Sequence, residues 1–259
     1  MNPRPLAGKR ILVTRPRAQA QGLSQAIRLA GGEALEFPAI EIRDLPKPAS
    51  FFAIAERLQS FDIAIFVSRN AVRKALAMLG ELRGGISWPA NLRVAAIGGG
   101  SREELERHGF LGVIAPPAPP DSEALLALPE FADVTGRRIV IFRGQGGRKV
   151  LGETLAGRGA LVEHAECYRR ARPSGNGAAL REAWSGSDAA TVSSAEGLAN
   201  LVAMIDEPVA GRLAALPLFV PHARVAAEAE RLGFALAVVA GPADRDLIAA
   251  LAAHFAGAR

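Results

Sequence analysis

Apolar residues in this chain fall in short unbroken runs, each followed by a stretch in which they return at helical spacing. Ile11-Leu12-Val13 is the first run. Leu23, Ile27 and Ala30 then lie on one helix stripe, and Gly31-Gly32 ends it. The spacing predicts strands over 10–14, 63–67, 92–97, 111–115, 139–142, 160–168, 189–192, 218–220 and 236–239. It predicts helices ending at Ala30 and over 50–58, 102–108, 122–128, 148–157, 195–205, 224–232 and 243–255, with one more carrying Val72, Leu76 and Leu79. Ser101 is expected to cap helix 102–108 and Gly109 to stop it. Residues 34–43 read as extended, because Pro38 breaks a helix, and the proline run 116–120 as a stiff loop. Apolar strands alternating with helices mean parallel sheets covered on both faces, an α/β fold.

The pattern repeats. Residues 136–173 open with Ile139-Val140-Ile141-Phe142, a glycine-rich turn, a helix and a second extended piece, and residues 8–43 carry the same parts in the same order. Residues 61–68 and 187–194 also correspond, as do 106–110 and 230–234. The chain therefore reads as a duplication. Each half supplies enough strand–helix units for a small doubly wound sheet. Periodicity alone would cut it near 128–135, and 259 residues accommodate two ordinary domains.

In doubly wound sheets ligands sit beyond the carboxyl ends of the strands. That rule selects the turns holding Thr14 and Arg15, Ser68 and Asn70, Gly98 and Ser101, Arg143, Gly144 and Gly146, Ser193 and Ser194, and His222 and Arg224. Such turns offer backbone N–H groups at helix N-termini, which attract anions. The serines and Asn70 read equally as helix caps, and the glycine turns as plain strand-to-helix geometry. Neither glycine run completes a phosphate loop or a dinucleotide fingerprint.

Composition narrows the chemistry. Net charge is +5 and mostly arginine, a side chain suited to carboxylate or phosphate. Two Trp and one Tyr leave little aromatic surface for stacking bases, which argues against a nucleic-acid partner. One Cys excludes an intrachain disulfide and a Cys-rich metal site, and His164 and His222 are too isolated to pair on a metal. Apolar runs are too short to span a bilayer, and residues 1–9 lack a signal-peptide stretch, so a cytoplasmic protein is expected.

Ile11-Leu12-Val13-Thr14-Arg15-Pro16, Phe37-Pro38-Ala39-Ile40-Glu41-Ile42 and Phe66-Val67-Ser68-Arg69-Asn70-Ala71-Val72 occur in that order. Ile97-Gly98 with Ser101, residues 143–148 and Glu166-Cys167-Tyr168-Arg169-Arg170 follow. In order and spacing, over nearly the whole chain, these resemble the uroporphyrinogen-III synthase family. Val220-Pro221-His222-Ala223-Arg224 departs from the pattern, standing where the family often has Gly and Thr; an arginine there could serve a carboxylate instead.

The resemblance implies two α/β domains of similar topology joined by a two-stranded linker. Carried over, residues 1–38 with 172–259 form one domain and 39–171 the other, with linkers at 37–43 and 166–173. It implies a monomeric enzyme without metal or organic cofactor. The reaction would close hydroxymethylbilane to uroporphyrinogen III, inverting the last pyrrole ring and losing water. Tyr168 matches the family's candidate proton donor, and arginine-rich turns are a reasonable receiver for the substrate's carboxylates. The alternative reading is a two-domain module that binds an anionic small molecule.

Overall fold

The computed structural model describes residues 4–46, 48–84, 88–117, 121–147, 149–175, 177–205 and 211–257. The expected loop residues 118–120 and helix start at 148 lie outside these. In chain order the strands are β1 (Arg10–Val13), β2 (Glu33–Glu36), β3 (Glu41–Arg43), β4 (Ile63–Phe66), β5 (Arg93–Ala96), β6 (Arg138–Gly144), β7 (Leu161–Ala171), β8 (Ala189–Thr191), β9 (Leu218–Val220) and β10 (Ala237–Val239). The helices are α1 (Arg17–Leu29), α2 (Ala49–Glu56), α3 (Arg69–Arg83), α4 (Gly99–Arg107), α5 (Ser122–Leu126), α6 (Val150–Gly157), α7 (Gly177–Ser185), α8 (Ala195–Ile205), α9 (Gly211–Ala215), α10 (Ala223–Arg231) and α11 (Asp244–Gly257).

The chain forms two compact units, Met1–Glu41 with Ala171–Arg259, and Ile42–Arg170. The first carries the sheet β10-β9-β8-β1-β2 and the second the sheet β3-β7-β6-β4-β5. In the first, β1 runs parallel to β2 and β8, and β9 parallel to β8 and β10. In the second, β6 runs parallel to β7 and β4, and β4 parallel to β5. Aligning β1 with β6, β2 with β7, β8 with β4 and β9 with β5 superimposes the two orders. Each sheet therefore combines strands from both halves of the duplicated sequence. The first sheet has the flavodoxin-like order 2-1-3-4-5, and the second shares its four matched strands but carries β3 beyond β7 in place of a strand beyond β5. The strand order reverses between β1 and β8 and between β6 and β4.

Period-two alternation places both faces of each sheet in a core. Ile11 and Val13 pack with α1 and α11 residues such as Leu23, Ile27 and Leu251, while Leu12 faces Leu180, Trp184 and Leu198. In the second unit Ile139 and Ile141 join Leu151 and Leu155 of α6, while Val140 and Phe142 join Phe51, Val72 and Leu76 of α2 and α3. That is the double-faced burial that apolar parallel strands require.

One repeated device fixes strand entry. Asp188 accepts the Arg10 N–H at 2.8 Å and pairs with Lys9 Nζ at 3.2 Å. Asp62 accepts the Arg138 N–H at 2.8 Å and pairs with Arg137 Nη1 at 3.2 Å. Each carboxylate thus ties the start of one central strand to its neighbour. Replacing either Asp by Ala is expected to cost about 1 kcal/mol, with Asp62→Ala no milder because its bond is less exposed. Urea midpoints that stayed at the wild-type value would contradict this.

Two expectations change. Residues 111–115 contribute only the Ala95–Ile114 bridge, because Gly112 turns to φ +64° and Leu111 is left exposed. Helix α4 starts at Gly99 with Gly98 as its N-cap, so Ser101 lies inside the first turn and does not cap it. Helices α7 and α9 fall in stretches to which the sequence pattern assigns no element.

Candidate active site

The turn after β6 supplies the best-defined arrangement of polar groups. Along β7, His164 and Glu166 face one side of the sheet while Ala165 and Cys167 face the other. Register then slips between Arg143 and Gly144: Arg143 pairs with Glu166, but Gly144 pairs with Tyr168. A bulge of this kind re-aims a side chain. Tyr168 therefore joins Cys167 on the α2/α3 face instead of alternating away from it.

There the phenol oxygen of Tyr168 lies 3.0 Å from Ser68 Oγ. Ser68 is the N-cap of α3, and its Oγ accepts the Ala71 N–H at 3.1 Å. Either hydroxyl can donate in the Ser68–Tyr168 contact; with Ser68 as donor, the phenolic hydrogen is left for another acceptor. Gly144 makes the ring position possible, since a Cβ at this residue would sit 2.7 Å from Cε2 and Cζ of Tyr168. Gln145 N–H completes the tie by donating to the Tyr168 carbonyl at 2.8 Å. In this conformation the ring is 1% exposed.

The other candidates of this unit divide. Asn70, mostly buried, lies in the first turn of α3, beside the Ser68 cap. Gly98 and Ser101 flank the N-terminus of α4, and the Arg69 guanidinium lies directly over Gly100, where any side chain would collide with it. Arg69 was not singled out by the sequence, although the Gly98-Gly99-Gly100 run next to an arginine-bearing turn was the available signal. Arg143 points to the opposite face from Gly144, and Gly146, at φ +71°, shapes the exposed turn between β6 and α6. Burial pushes the Cys167 thiol up to about 12, so it is protonated at neutral pH and reads as core.

In the first unit, Arg15, Ser193 and His222 line one pocket of about 140 Å³ at the carboxyl ends of β1, β8 and β9, with Thr191, Pro221 and Pro242. Arg15 pairs with Asp244 in the first turn of α11, a partner 229 positions away that no local pattern announces. Thr14 is buried and its hydroxyl donates to the Thr191 carbonyl at 2.8 Å, so its side chain serves the sheet. Ser194 Oγ accepts the Gly197 N–H at 3.0 Å at the start of α8, the capping alternative. His222 sits at the N-cap position of α10 without a side-chain cap bond, and Arg224 is exposed in its first turn. Among the described residues, no group of three or more His, Cys, Asp and Glu side chains is placed to hold a metal ion, and no helix is long and apolar enough to cross a membrane.

The fold and these turns define a class: a two-unit α/β protein with two related parallel-dominant five-stranded sheets of exchanged halves and polar turns at both switch points. The family model for "Uroporphyrinogen-III synthase HemD" matches residues 21–249. The uroporphyrinogen-III synthase of Salmonella typhimurium is 36% identical over 247 residues, 92% of this chain and 97% of that protein. The Escherichia coli protein of the same name is 33% identical over 244 residues, with the same coverage. Among solved structures, a mutant uroporphyrinogen III synthase of Thermus thermophilus aligns at TM-score 0.63 and 16% identity, covering 97% of this chain and all of that one. The Helicobacter pylori enzyme aligns at 0.61 and 13%, covering 93% and 97%. The structures support the fold. The chain belongs to the uroporphyrinogen-III synthase family.

Proposed function

We propose that the protein closes hydroxymethylbilane to uroporphyrinogen III with inversion of ring D and loss of water, acting as a cytoplasmic monomer without metal or organic cofactor. The observation that carries the reading is membership of the family over residues 21–249. The arrangement of Tyr168, Ser68 and Gly144 supplies the residues for it.

Loss of the substrate hydroxyl generates an electrophilic azafulvene, and the remaining work is to hold the chain folded so that the new carbon–carbon bond forms at the inverted ring. Catalysis is then mainly positioning, with one proton delivered to the departing oxygen to make water. Tyr168 is the proposed donor. The Ser68 hydroxyl, pointed at the phenol oxygen, would stabilise the negative charge that develops there as the proton leaves. This requires the hydroxyl edge of the ring, covered in the present conformation, to be open in the substrate complex. Substrate carboxylates are proposed to meet the N-termini of α3 at Asn70 and α4 at Gly98 and Ser101, and in the first unit Arg15, Ser193, His222 and Arg224.

The test is direct. Purified protein, treated with chelator and given enzymatically made hydroxymethylbilane, is expected to yield the type III isomer. Recovery of the spontaneous type I isomer alone would reject the activity, and a ligand-induced thermal shift without turnover would favour the binding-module alternative.

A further inference from the structure

Arg143 and Gly144 are adjacent, but period-two alternation sends them to opposite faces of the second sheet. Gly144 faces Tyr168. Arg143 enters a separate hollow of about 500 Å³ on the α6 side, shared with Gly147, Lys149, Glu153, His164 and Glu166. Its guanidinium is unusual in two respects. The residue is 7% exposed, yet among the described residues no carboxylate pairs with it. Nε makes one long bond, 3.3 Å, to the Gly144 carbonyl, and neither Nη atom has an acceptor among the described residues. Glu153 and Glu166 line the same hollow but stand beyond pairing distance of it. The side chain is mostly covered, but its Nη atoms are not among the fully buried polar atoms, so these donors are presented to the hollow, where an acceptor can reach them.

The surroundings point to what that acceptor is. The hollow opens at the N-terminus of α6, whose N-cap, Lys149, makes no side-chain capping bond. Two glycines hold the walls back. A Cβ at Gly147 would sit 2.5 Å from Arg143 Nη2, and one at Gly152, in the first turn of α6, would sit 2.8 Å from His164 Cε1. Glycine at these two positions lets the Arg143 and His164 side chains approach the backbone closely. His164 feels the unneutralised cation: desolvation lowers its pKa first, and Arg143 adds to the lowering while Glu166 opposes it.

We propose that this hollow, lined by Arg143, Lys149 and His164 at the N-terminus of α6, binds an oxyanion on the face of the sheet opposite Tyr168. The shared chemistry is a carboxylate or phosphate group taking both Nη donors in the bidentate manner of arginine. Its source is either a carboxylate arm of a tetrapyrrole or a free inorganic anion. The site does not depend on the proposed reaction.

The experiment follows the His164 imidazole by NMR in histidine-labelled protein, assigned through His164→Gln and titrated separately with inorganic phosphate and with uroporphyrin III. The expected result is a saturable shift of the His164 resonance and a rise in its titration midpoint, with His254 unmoved. Response to phosphate identifies a free anion as sufficient, and response to uroporphyrin III alone identifies the carboxylate arm. Arg143→Gln should weaken the apparent affinity by about tenfold or more, and the exposed Lys149→Gln by less. Gly147→Ala, in an exposed turn, should weaken it by displacing the guanidinium, and it decides the matter if Arg143→Gln fails to fold. His164 unmoved by both probes in folded protein would overturn the proposal. So would a shift that persists unchanged in Arg143→Gln or, where that variant does not fold, in Gly147→Ala.

Discussion

Tyr168→Phe is expected to fold like the parent and to lose most of its turnover at saturating substrate, while KM changes little. The ring keeps its place against Gly144, so packing is conserved, and Ser68 retains its bond to the Ala71 N–H. Only the hydroxyl is removed, together with its 3.0 Å bond to Ser68, at a stability cost of about 1 kcal/mol. A positioned general acid contributes roughly 10²–10⁴-fold. Azafulvene formation is already easy in water, so the lower half of that range is expected here. Ser68→Ala should lose less than Tyr168→Phe, since it removes support for the phenol oxygen and leaves the donor. Wild-type turnover in Tyr168→Phe would make Tyr168 a packing residue of the core around Phe142 and Phe66.

Most of the fold was legible because its two periods are clean. Ile139 and Ile141 against Val140 and Phe142 predict a doubly buried strand, and Leu23 and Ile27 predict a helix stripe; both are observed. Helix α7 was legible in principle, since Leu180 and Trp184 stand one turn apart and are fully buried or nearly so. The Ser174-Gly175 and Ser185-Gly186-Ser187 punctuation at its ends leaves too short a run for periodicity to stand out, and the pattern assigns it no element. The opposite error at 111–115 has a local cause in Gly112, whose positive φ ends any ladder after one bridge.

The site was less legible, for reasons that are tertiary. Choosing the βα turns requires only strand order, and the turn after β4 and the end of β6 do meet around Tyr168 of β7, which touches both Ser68 and Gly144. The side chains within them obey contacts that sequence does not carry. Thr14 turns into the β1–β8 ladder, Arg15 meets Asp244, and Tyr168 faces Gly144 because of one register slip. The division of Arg143 from Gly144 was available from alternation alone, had the strand been extended to residue 144.

Gly144→Ala is the sharper test of that arrangement, because it leaves every functional group in place and changes only where one ring can sit. The added methyl would lie 2.7 Å from Cε2 and Cζ of Tyr168 and 3.1 Å from its oxygen. Tyr168 is 1% exposed and packed in the core with Cys167 and Ala165, so the ring cannot swing aside freely. Overpacking of this kind costs about 1–3 kcal/mol, and the displaced phenol loses its bond to Ser68. Turnover should therefore fall to about the level of Tyr168→Phe, in a protein with a lower denaturation midpoint. The double variant separates the two effects. If Gly144 acts on the reaction through the Tyr168 hydroxyl, Gly144→Ala in the Tyr168→Phe background should cost stability as before, because the ring and its clash remain, but should remove little further activity. Independent, multiplying losses of turnover would mean that Gly144 meets the substrate through its own backbone, and that the phenol and the turn contribute separately.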